Sequence, residues 1–185
     1  MTAQTATPSL LLTPLRRTRQ YREFEPTPLD DATLDALADV ARWSGSSQNS
    51  QPWRFIVIRD RATLERISEI GKPQTRGLAS APNAIAIVLP DEAGRGVSHA
   101  FDEGRVAERL LVAASILGIG AGISWIKADI RGAVREVLGI PEGWSVRTFV
   151  QLGHPTEAAR RPKSAPGEAR RPRDEIVFVD RWPDA

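Results

Sequence analysis

Two segments of this chain are apolar almost without interruption: AIAIVL at residues 84–89 and LLVAASIL at residues 110–117. A continuously apolar strand is typical of one that is buried on both faces. A helix that is apolar all round is typical of one at the centre of a protein. The sequence therefore predicts a single core built around a covered strand and a central helix.

The other apolar patterns alternate between helical and extended spacing along the chain. Helices are predicted from an N-cap at Asp30 or Asp31 to Gly45, at residues 64–71, from about Phe101 to Leu117 and at residues 130–138. Strands are predicted at residues 53–58, 84–89, 122–127 and 145–153. Residues 155–173 lack periodicity, and EIVFV at residues 175–179 then indicates a terminal strand. One interpretation is that this detached strand crosses to a partner subunit and covers a sheet edge there.

Composition limits the classes of protein that fit. With 41% apolar residues in 185, one domain with a real core is expected over residues 15–185, after a disordered or extended segment at residues 1–14. The 25 basic and 23 acidic residues nearly balance, which disfavours nucleic-acid binding. There is no cysteine and there are two histidines, His99 and His154, so neither disulfides nor a metal site are expected. Apolar runs fall short of the roughly 18 residues of a membrane span, and a cytoplasmic protein is expected.

A small-polar loop, SGSSQNSQ at residues 44–51, separates the first long helix from the strand that begins WRF. The loop is either an ordinary helix-to-strand connection or a source of donors for a planar heterocycle, with Trp53 and Phe55 anchoring the strand behind it. The candidate binding side chains are those of Ser46, Ser47, Asn49 and Gln51.

Arginines cluster near both ends of the chain. Arg16, Arg17, Arg19 and Arg22 fall within seven residues, and a second cluster, RRPR, occupies residues 170–173. Converging guanidinium groups are well suited to a phosphate monoester, because each charge-assisted hydrogen bond contributes roughly 1.5 to 3 kcal/mol. The alternative is two solvated basic surfaces.

The order of these features resembles the nitroreductase family of FMN-dependent oxidoreductases. The resemblance runs from Arg16 to Val179 through QPWRF, the Ala81-Pro82 strand, DEGRVAERLLVAASILGIGAG, LGIPEG, LGHP and the Arg-Arg-Pro tail. It implies an α+β, three-layer fold with a central mixed, mostly antiparallel sheet flanked by helices. It also implies a homodimer with FMN at the interface, in which the C-terminal strand could be exchanged.

The family's Arg-Arg-Ser-x-Arg-x-Phe segment, which binds the flavin phosphate and ribityl chain, aligns with residues 18–24 when the register is set on Phe24 and Pro28. Thr18 stands at the first Arg, Arg19 keeps the second, Gln20 replaces the Ser and Arg22 keeps the last basic position. The resemblance places Arg22 toward the N1 and C2 carbonyl edge of the flavin, where a fixed cation stabilises the charge of the reduced ring. Arg16 or Arg17 is the candidate to compensate for Thr18.

The resemblance assigns further positions to the flavin. Ser46, Ser47, Asn49 and Gln51 would reach it across the dimer interface, with Gly45 standing where Pro is common in the family. Arg76 is either a second basic group at the pyrimidine edge or a surface arginine. The backbone around Ser124 and Trp125 would face the flavin N5, unless Trp125 only packs in the core. Arg170 and Arg171 match the late phosphate-binding basic residues, although Glu168 stands where the family has a Lys.

The function implied is that of an FMN-dependent oxidoreductase that passes hydride from NAD(P)H through FMN to a nitroaromatic, quinone or similar small acceptor by a ping-pong mechanism. No catalytic side chain is required, because the cofactor carries the redox chemistry. The alternatives are another reaction on the same flavin, namely reductive dehalogenation or oxygen-dependent flavin cleavage, and a flavin-binding protein without turnover. A nucleic-acid-binding module is a further alternative that the charge balance disfavours.

Overall fold

The computed structural model describes residues 7–165, 168 and 170–183. Within these residues the helices are α1 (Pro8–Leu11), α2 (Thr13–Arg17), α3 (Asp31–Arg42), α4 (Arg61–Gly71), α5 (Gly96–Ile116), α6 (Arg131–Val137) and α7 (Glu157–Arg160). The strands are β1 (Arg54–Ile58), β2 (Asn83–Pro90), β3 (Gly120–Trp125) and β4 (Trp144–Gly153). Short 3-10 turns lie at Ser47–Asn49, Arg76–Ala79, Ala128–Ile130 and Arg173–Glu175.

The four strands form one antiparallel sheet in the order β1-β2-β4-β3. A single parallel bridge between Gln20 and Ala121 adds a short segment outside β3, so the sheet is mixed only at that edge. The predicted α+β fold with a mostly antiparallel sheet is confirmed.

The sheet is covered on both faces, as the apolar sequence of β2 predicts. Ile85 and Ile87 pack with α3 and α5 on one face, and Ala84, Ala86 and Val88 pack with α4 and α6 on the other. Each of these five side chains is at most 3% exposed. Two cores therefore flank the central strands, and the molecule has three layers.

Helices α3 and α4 begin as their sequences predict. The Asp30 carboxylate accepts a hydrogen bond from the Thr33 N–H at 2.7 Å, and Asp60 accepts one from the Thr63 N–H at 2.9 Å. Acidic N-caps satisfy donors that the first helical turn leaves free. The end of α3 differs from the prediction, because the helix stops at Arg42 with Trp43 as its C-cap, two residues before Gly45.

The central helix is longer than predicted. It begins at Gly96 and spans 21 residues, so its first turns are polar and its apolar second half packs in the core. Among the described residues no helix combines the length and the apolarity that a membrane-spanning segment requires.

Both ends of the chain differ from the expectations. Residues 8–11 and 13–14 are helical rather than extended, with Pro8 and Pro14 in first helical turns, where the missing N–H leaves no hydrogen bond unmade.

Residues 175–179 form no strand in the single chain; Arg173–Glu175 is a 3-10 turn, followed by turns and bends. A strand forms only when an edge accepts its hydrogen bonds, so pairing of this segment with a partner subunit stays a prediction. Those parts of the expectations that concern residues 1–6, 166, 167, 169, 184 and 185 lie outside the described residues.

Candidate functional site

A cleft of about 700 Å³ lies between α2, the segment that follows it and α5. It brings together residues that are far apart in sequence, including three arginines; its lining is Leu15, Arg16, Thr18, Arg19, Gln20, Glu108, Leu111 and Arg170. Three guanidinium groups against one carboxylate leave the cleft positively charged. It can therefore hold a phosphate group, and it joins the two arginine clusters of the sequence.

The walls of the cleft hold their arginines in place. Arg19 donates hydrogen bonds to the carbonyls of Arg160 at 3.1 Å and Arg161 at 3.5 Å, and its guanidinium lies 5.5 Å from the centre of the Tyr21 ring. Arg16 donates to Ser9, at 3.0 Å for the hydroxyl. These contacts orient both cations before any anion arrives, which lowers the entropy that binding has to overcome.

The segment that carries Thr18 to Arg22 lies along the outer edge of β3. The Tyr21 N–H donates to the Ala121 carbonyl at 2.8 Å, and the Gln20 side-chain carbonyl accepts from the Ile123 N–H at 3.2 Å. Gly122 permits this approach, because a Cβ at that position would lie 2.1 Å from the Tyr21 carbonyl oxygen. The departure from Ser to Gln at position 20 thus supplies a bond to the sheet edge.

A buried amide links the two sides of the site. Gln151 is fully buried on β4, donates from Nε2 to the Tyr21 carbonyl at 2.7 Å, and accepts from the Ser124 hydroxyl at 2.6 Å. Gly77 packs directly on it, since a Cβ there would lie 2.2 Å from the Gln151 Nε2. Gln151 therefore holds three elements together: the segment of residues 18–22, β3 and the turn that begins at Arg76.

Two more predicted cations, Arg22 and Arg76, lie beside this buried amide. The Arg22 carbonyl accepts a hydrogen bond at 3.3 Å from Ser80, which directly follows the turn of Arg76. Both arginine side chains are exposed and make no hydrogen bond or ion pair within the described part of the chain. They are free to meet a ligand placed over this surface.

Ser124 and Trp125 end β3 in different environments. The Ser124 side chain is 1% exposed and bonded to Gln151, so its hydroxyl is not available to a ligand. Trp125 is 47% exposed and does not pack in the core. Alternate residues of an edge strand direct their backbone groups outward. The backbone groups of Ala121 and Ile123 point outward and bond to residues 20–21. Trp125 is the next outward-facing residue of β3, so its N–H also points away from β4.

The polar loop contributes no residue to the lining of the cleft in the single chain. Gln48, Asn49 and Gln51 have left-handed backbones, with φ of 52°, 53° and 47°. This conformation costs a residue such as Gln roughly 1 to 2 kcal/mol, whereas Asn tolerates it better. The Ser47 N–H is held by both carboxylate oxygens of Asp102, at 3.0 and 3.1 Å, and the Ser46 hydroxyl accepts from the Gln51 N–H at 2.9 Å. Strained loops of this kind concentrate at binding sites.

The structure distinguishes between some of the sequence candidates. Arg16 lines the cleft together with Thr18, whereas Arg17 does not. In the tail, Arg170 lines the cleft, whereas Arg171 lies 4.0 Å from the Glu175 carboxylate. The structure therefore gathers Thr18, Arg19, Gln20 and Arg170 in one cleft. Ser124 contacts Gln151, and Arg22, Arg76 and Trp125 are chain neighbours of the residues that contact it. The loop with Ser46, Ser47, Asn49 and Gln51 does not line the cleft.

Two residues of this arrangement were missed by the sequence reasoning, Gln151 and Asp102. Each had a visible signal: Gln151 is an amide inside the apolar run FVQLG, and Asp102 is an acid on a helix that becomes fully apolar. A polar residue in an apolar context is retained where it has a buried partner. Within the described residues, no three His, Asp or Glu side chains come together as a metal-binding group.

Comparison with known proteins identifies one matching family. Residues 15–78 match the model of the Nitroreductase family. A protein of Archaeoglobus fulgidus named "Putative NADH dehydrogenase/NAD(P)H nitroreductase" is 32% identical over 148 residues, which cover 75% of this chain and 82% of that protein. The 5,6-dimethylbenzimidazole synthase of Rhodospirillum rubrum is 25% identical over 170 residues, covering 75% of this chain and 79% of the synthase.

A solved structure shows the same fold. The FMN-dependent nitroreductase of Clostridium difficile R20291 superposes with a TM-score of 0.77 at 23% identity, covering 90% of this chain and 98% of that one. The three-layer α+β fold of this chain is thus that of a solved nitroreductase. The chain belongs to the nitroreductase family.

Proposed function

We propose that this protein is an FMN-dependent NAD(P)H oxidoreductase that reduces a nitroaromatic, quinone or similar small acceptor, with donor and acceptor binding in turn. The observation that carries the proposal is the cleft where Arg16, Arg19 and Arg170 converge beside the edge of β3. Its support from relatives is the name of the Archaeoglobus protein, which describes an NAD(P)H nitroreductase.

The residues present fit FMN. Arg16, Arg19 and Arg170, with the Thr18 hydroxyl, would hold the phosphate, and the close approach allowed by Gly122 keeps residues 20–22 beside the sheet edge. Arg22 and Arg76, which have no hydrogen-bond or ion-pair partner among the described residues, would hold the polar edge of the ring system. The N–H of Trp125 would meet the ring at the open end of β3.

Bound FMN would supply the redox chemistry, accepting electrons from NAD(P)H and passing them to the acceptor. The chain itself would supply positive charge, orient the bound molecules and exclude water. Arg22 would contribute a positive charge that stabilises the more negative, reduced ring. The half-exposed Trp125 side chain covers part of the open surface and limits access of water and of bulky acceptors.

A homodimer is part of the proposal, because the loop with Ser46 and Asn49 does not line the arginine cleft of its own chain. Large apolar side chains are exposed on three segments: Leu10, Leu11, Leu12 and Leu15 near the N-terminus, Phe101 and Ile116 on α5, and Ile176, Val179 and Trp182 in the tail. A groove of about 810 Å³ runs along α5, and Leu15, Phe101 and Ile116 contribute to its lining. Exposed apolar patches of this kind mark association surfaces. A protein that binds FMN tightly as a monomer in light scattering would contradict this layout.

The first experiment is the visible absorption spectrum of the purified, FMN-supplemented and desalted protein, before and after anaerobic NADH or NADPH. A retained flavin spectrum that bleaches on addition of the donor is expected. Retained flavin that no donor bleaches would indicate a flavin-binding protein without turnover. Loss of all flavin on desalting would overturn the proposal.

A second candidate function is oxygen-dependent cleavage of the flavin, favoured by the similarity to the Rhodospirillum 5,6-dimethylbenzimidazole synthase. The segment between Gly71 and Ser98 holds only a 3-10 turn, β2 and the start of α5, without a separate lid element. This ranks the second candidate below the first. Aerobic incubation of the reduced protein, followed by mass spectrometry for 5,6-dimethylbenzimidazole, separates the two.

A further inference from the structure

The shape of the 45–51 loop (Gly45 to Gln51) is not explained by its own sequence. Three of its residues, Gln48, Asn49 and Gln51, are left-handed without being glycine. Most of its hydrogen bonds are internal: the Asn49 N–H donates to the Ser46 carbonyl at 3.1 Å and the Gln51 N–H to the Ser46 hydroxyl at 2.9 Å. Such a conformation persists only when surrounding structure holds it.

One contact connects this loop to the body of the protein. Among the described residues, the only hydrogen bond from residues 45–51 to another element is the one from the Ser47 N–H to Asp102 on α5. The carboxylate is 2% exposed, and its two oxygens lie 3.0 and 3.1 Å from the same nitrogen. A buried, charged acceptor makes a stronger hydrogen bond than a neutral one, and it fixes the start of the loop against a long, rigid helix.

A second residue of α5 completes the contact. The Arg105 guanidinium lies 3.7 Å from the Asp102 carboxylate and offsets part of the cost of burying that charge. It lies over Gly45, where a Cβ would be 2.2 Å from Arg105 Nη2. Arg105 therefore occupies the space that a side chain at position 45 would need.

We infer that Asp102, supported by Arg105, is the positioning residue that holds the 45–51 loop in the shape that receives the flavin of the partner subunit. This inference rests on the proposed FMN-dependent function. Asp102 touches no ligand in this scheme; it acts through the Ser47 backbone, which in turn sets the directions of the Ser46, Asn49 and Gln51 side chains.

The test compares Asp102→Ala and Asp102→Asn with a matched control, Glu103→Gln. Glu103 is the next residue on α5 and is equally buried, at 2% exposure, but its carboxylate bonds to Arg147 and not to the loop. FMN affinity is measured by fluorescence titration, and exchange of the Ser47 amide by hydrogen–deuterium exchange of the flavin-free protein. Thermal unfolding reports whether each variant folds.

Asp102→Ala is expected to raise both the FMN Kd and the exchange rate of the Ser47 amide by about tenfold or more. Asp102→Asn keeps one acceptor and should fall between this variant and the wild type, whereas Glu103→Gln should leave Ser47 exchange unchanged even if it lowers the unfolding temperature. If Asp102→Ala does not fold, FMN affinity and Ser47 exchange are compared between Asp102→Asn and Glu103→Gln, and this comparison tests the inference.

Folded Asp102 variants with wild-type FMN affinity and wild-type Ser47 exchange would overturn the inference. The same would hold if Glu103→Gln changed both readouts as much as the Asp102 variants do. Wild-type protein that binds no FMN would overturn the proposed function instead. In that case Ser47 exchange would still report separately on whether Asp102 holds the loop.

Discussion

The side-chain amide of Gln151 donates a 2.7 Å hydrogen bond to the backbone carbonyl of Tyr21, 130 residues earlier in the chain. The bond joins the interior of β4 to the segment whose arginines form the anion cleft. Because Gln151 also accepts from Ser124, its removal would leave the buried Ser124 hydroxyl and the part-buried Tyr21 carbonyl without this partner.

Replacing Gln151 with Leu is therefore expected to reduce the free energy of unfolding by about 1 to 3 kcal/mol for each polar group left unpaired. FMN affinity should fall as well, since residues 18–22 lose their support. Urea denaturation of the flavin-free protein and fluorescence titration with FMN measure the two effects. Ser124→Ala is the control: it removes one of the two bonds and leaves Tyr21 supported, so a loss of FMN affinity equal to that of Gln151→Leu would contradict the role given to Gln151.

Replacing Gly122 with Ala is expected to displace the Tyr21 backbone. The added Cβ would lie 2.1 Å from the Tyr21 carbonyl oxygen, a backbone atom that cannot rotate away. Overpacking of this kind costs typically about 1 to 3 kcal/mol. Gly132→Ala is the matched control, because a Cβ at that helical position meets nothing within 4 Å and should stabilise α6 slightly. Equal unfolding free energies for the two variants would contradict the close approach.

The arginine cleft predicts a specific dependence on the phosphate of the ligand. Arg19→Ala should weaken FMN binding roughly 10- to 100-fold, the loss expected for a charge-assisted hydrogen bond, while binding of riboflavin, which lacks the phosphate, should change little. Arg59→Ala serves as the control, because Arg59 pairs with Asp31 outside the cleft. Equal losses for FMN and riboflavin would place Arg19 away from the phosphate.

Arg22 is expected to act on the reduced state of the bound ring rather than on the phosphate. Arg22→Ala should slow the reduction of bound FMN by NAD(P)H about tenfold or more in an anaerobic stopped-flow experiment at saturating FMN, since a fixed positive charge is lost where negative charge develops. Arg22→Lys keeps the charge and should recover much of the rate. Wild-type reduction rates in Arg22→Ala would remove this residue from the site.

The N-caps of α3 and α4 predict how stability varies in acid. Hydrogen bonds from the Thr33 backbone and from the Thr63 hydroxyl and backbone lower the pKa of Asp30 and Asp60, respectively, below their usual value of about 4. Their folded pKa therefore lies below the unfolded one, so the stabilisation is fully present above pH of about 4 and is lost as the pH falls through the folded pKa. Denaturation of the wild type and of Asp30→Asn/Asp60→Asn should differ most near neutral pH and converge in acid. A pH-independent difference would contradict this assignment.

Much of the fold follows from local patterns in the sequence. The Asp30 cap, the doubly covered β2 and the central position of α5 each depend on residues within one or two turns or strand repeats, which act before any tertiary contact forms. The crowding of Arg16, Arg19 and Arg22, and the small-polar loop, were likewise visible as candidates for binding.

Only the tertiary structure determines which of the candidate site residues come together. Nothing local distinguishes Arg16 from Arg17 or Arg170 from Arg171. In the folded chain one member of each pair lines the cleft beside α5. Gln151 with Tyr21 and Asp102 with Ser47 are hydrogen bonds across 130 and 55 residues. Residues 175–179 have a strand-like composition and yet form no strand in the single chain, because strand pairing depends on an edge that another part of the sheet has to offer. Sequence determines the local elements through short-range sterics and hydrogen bonding, and the site arises where the folded layers bring distant side chains together.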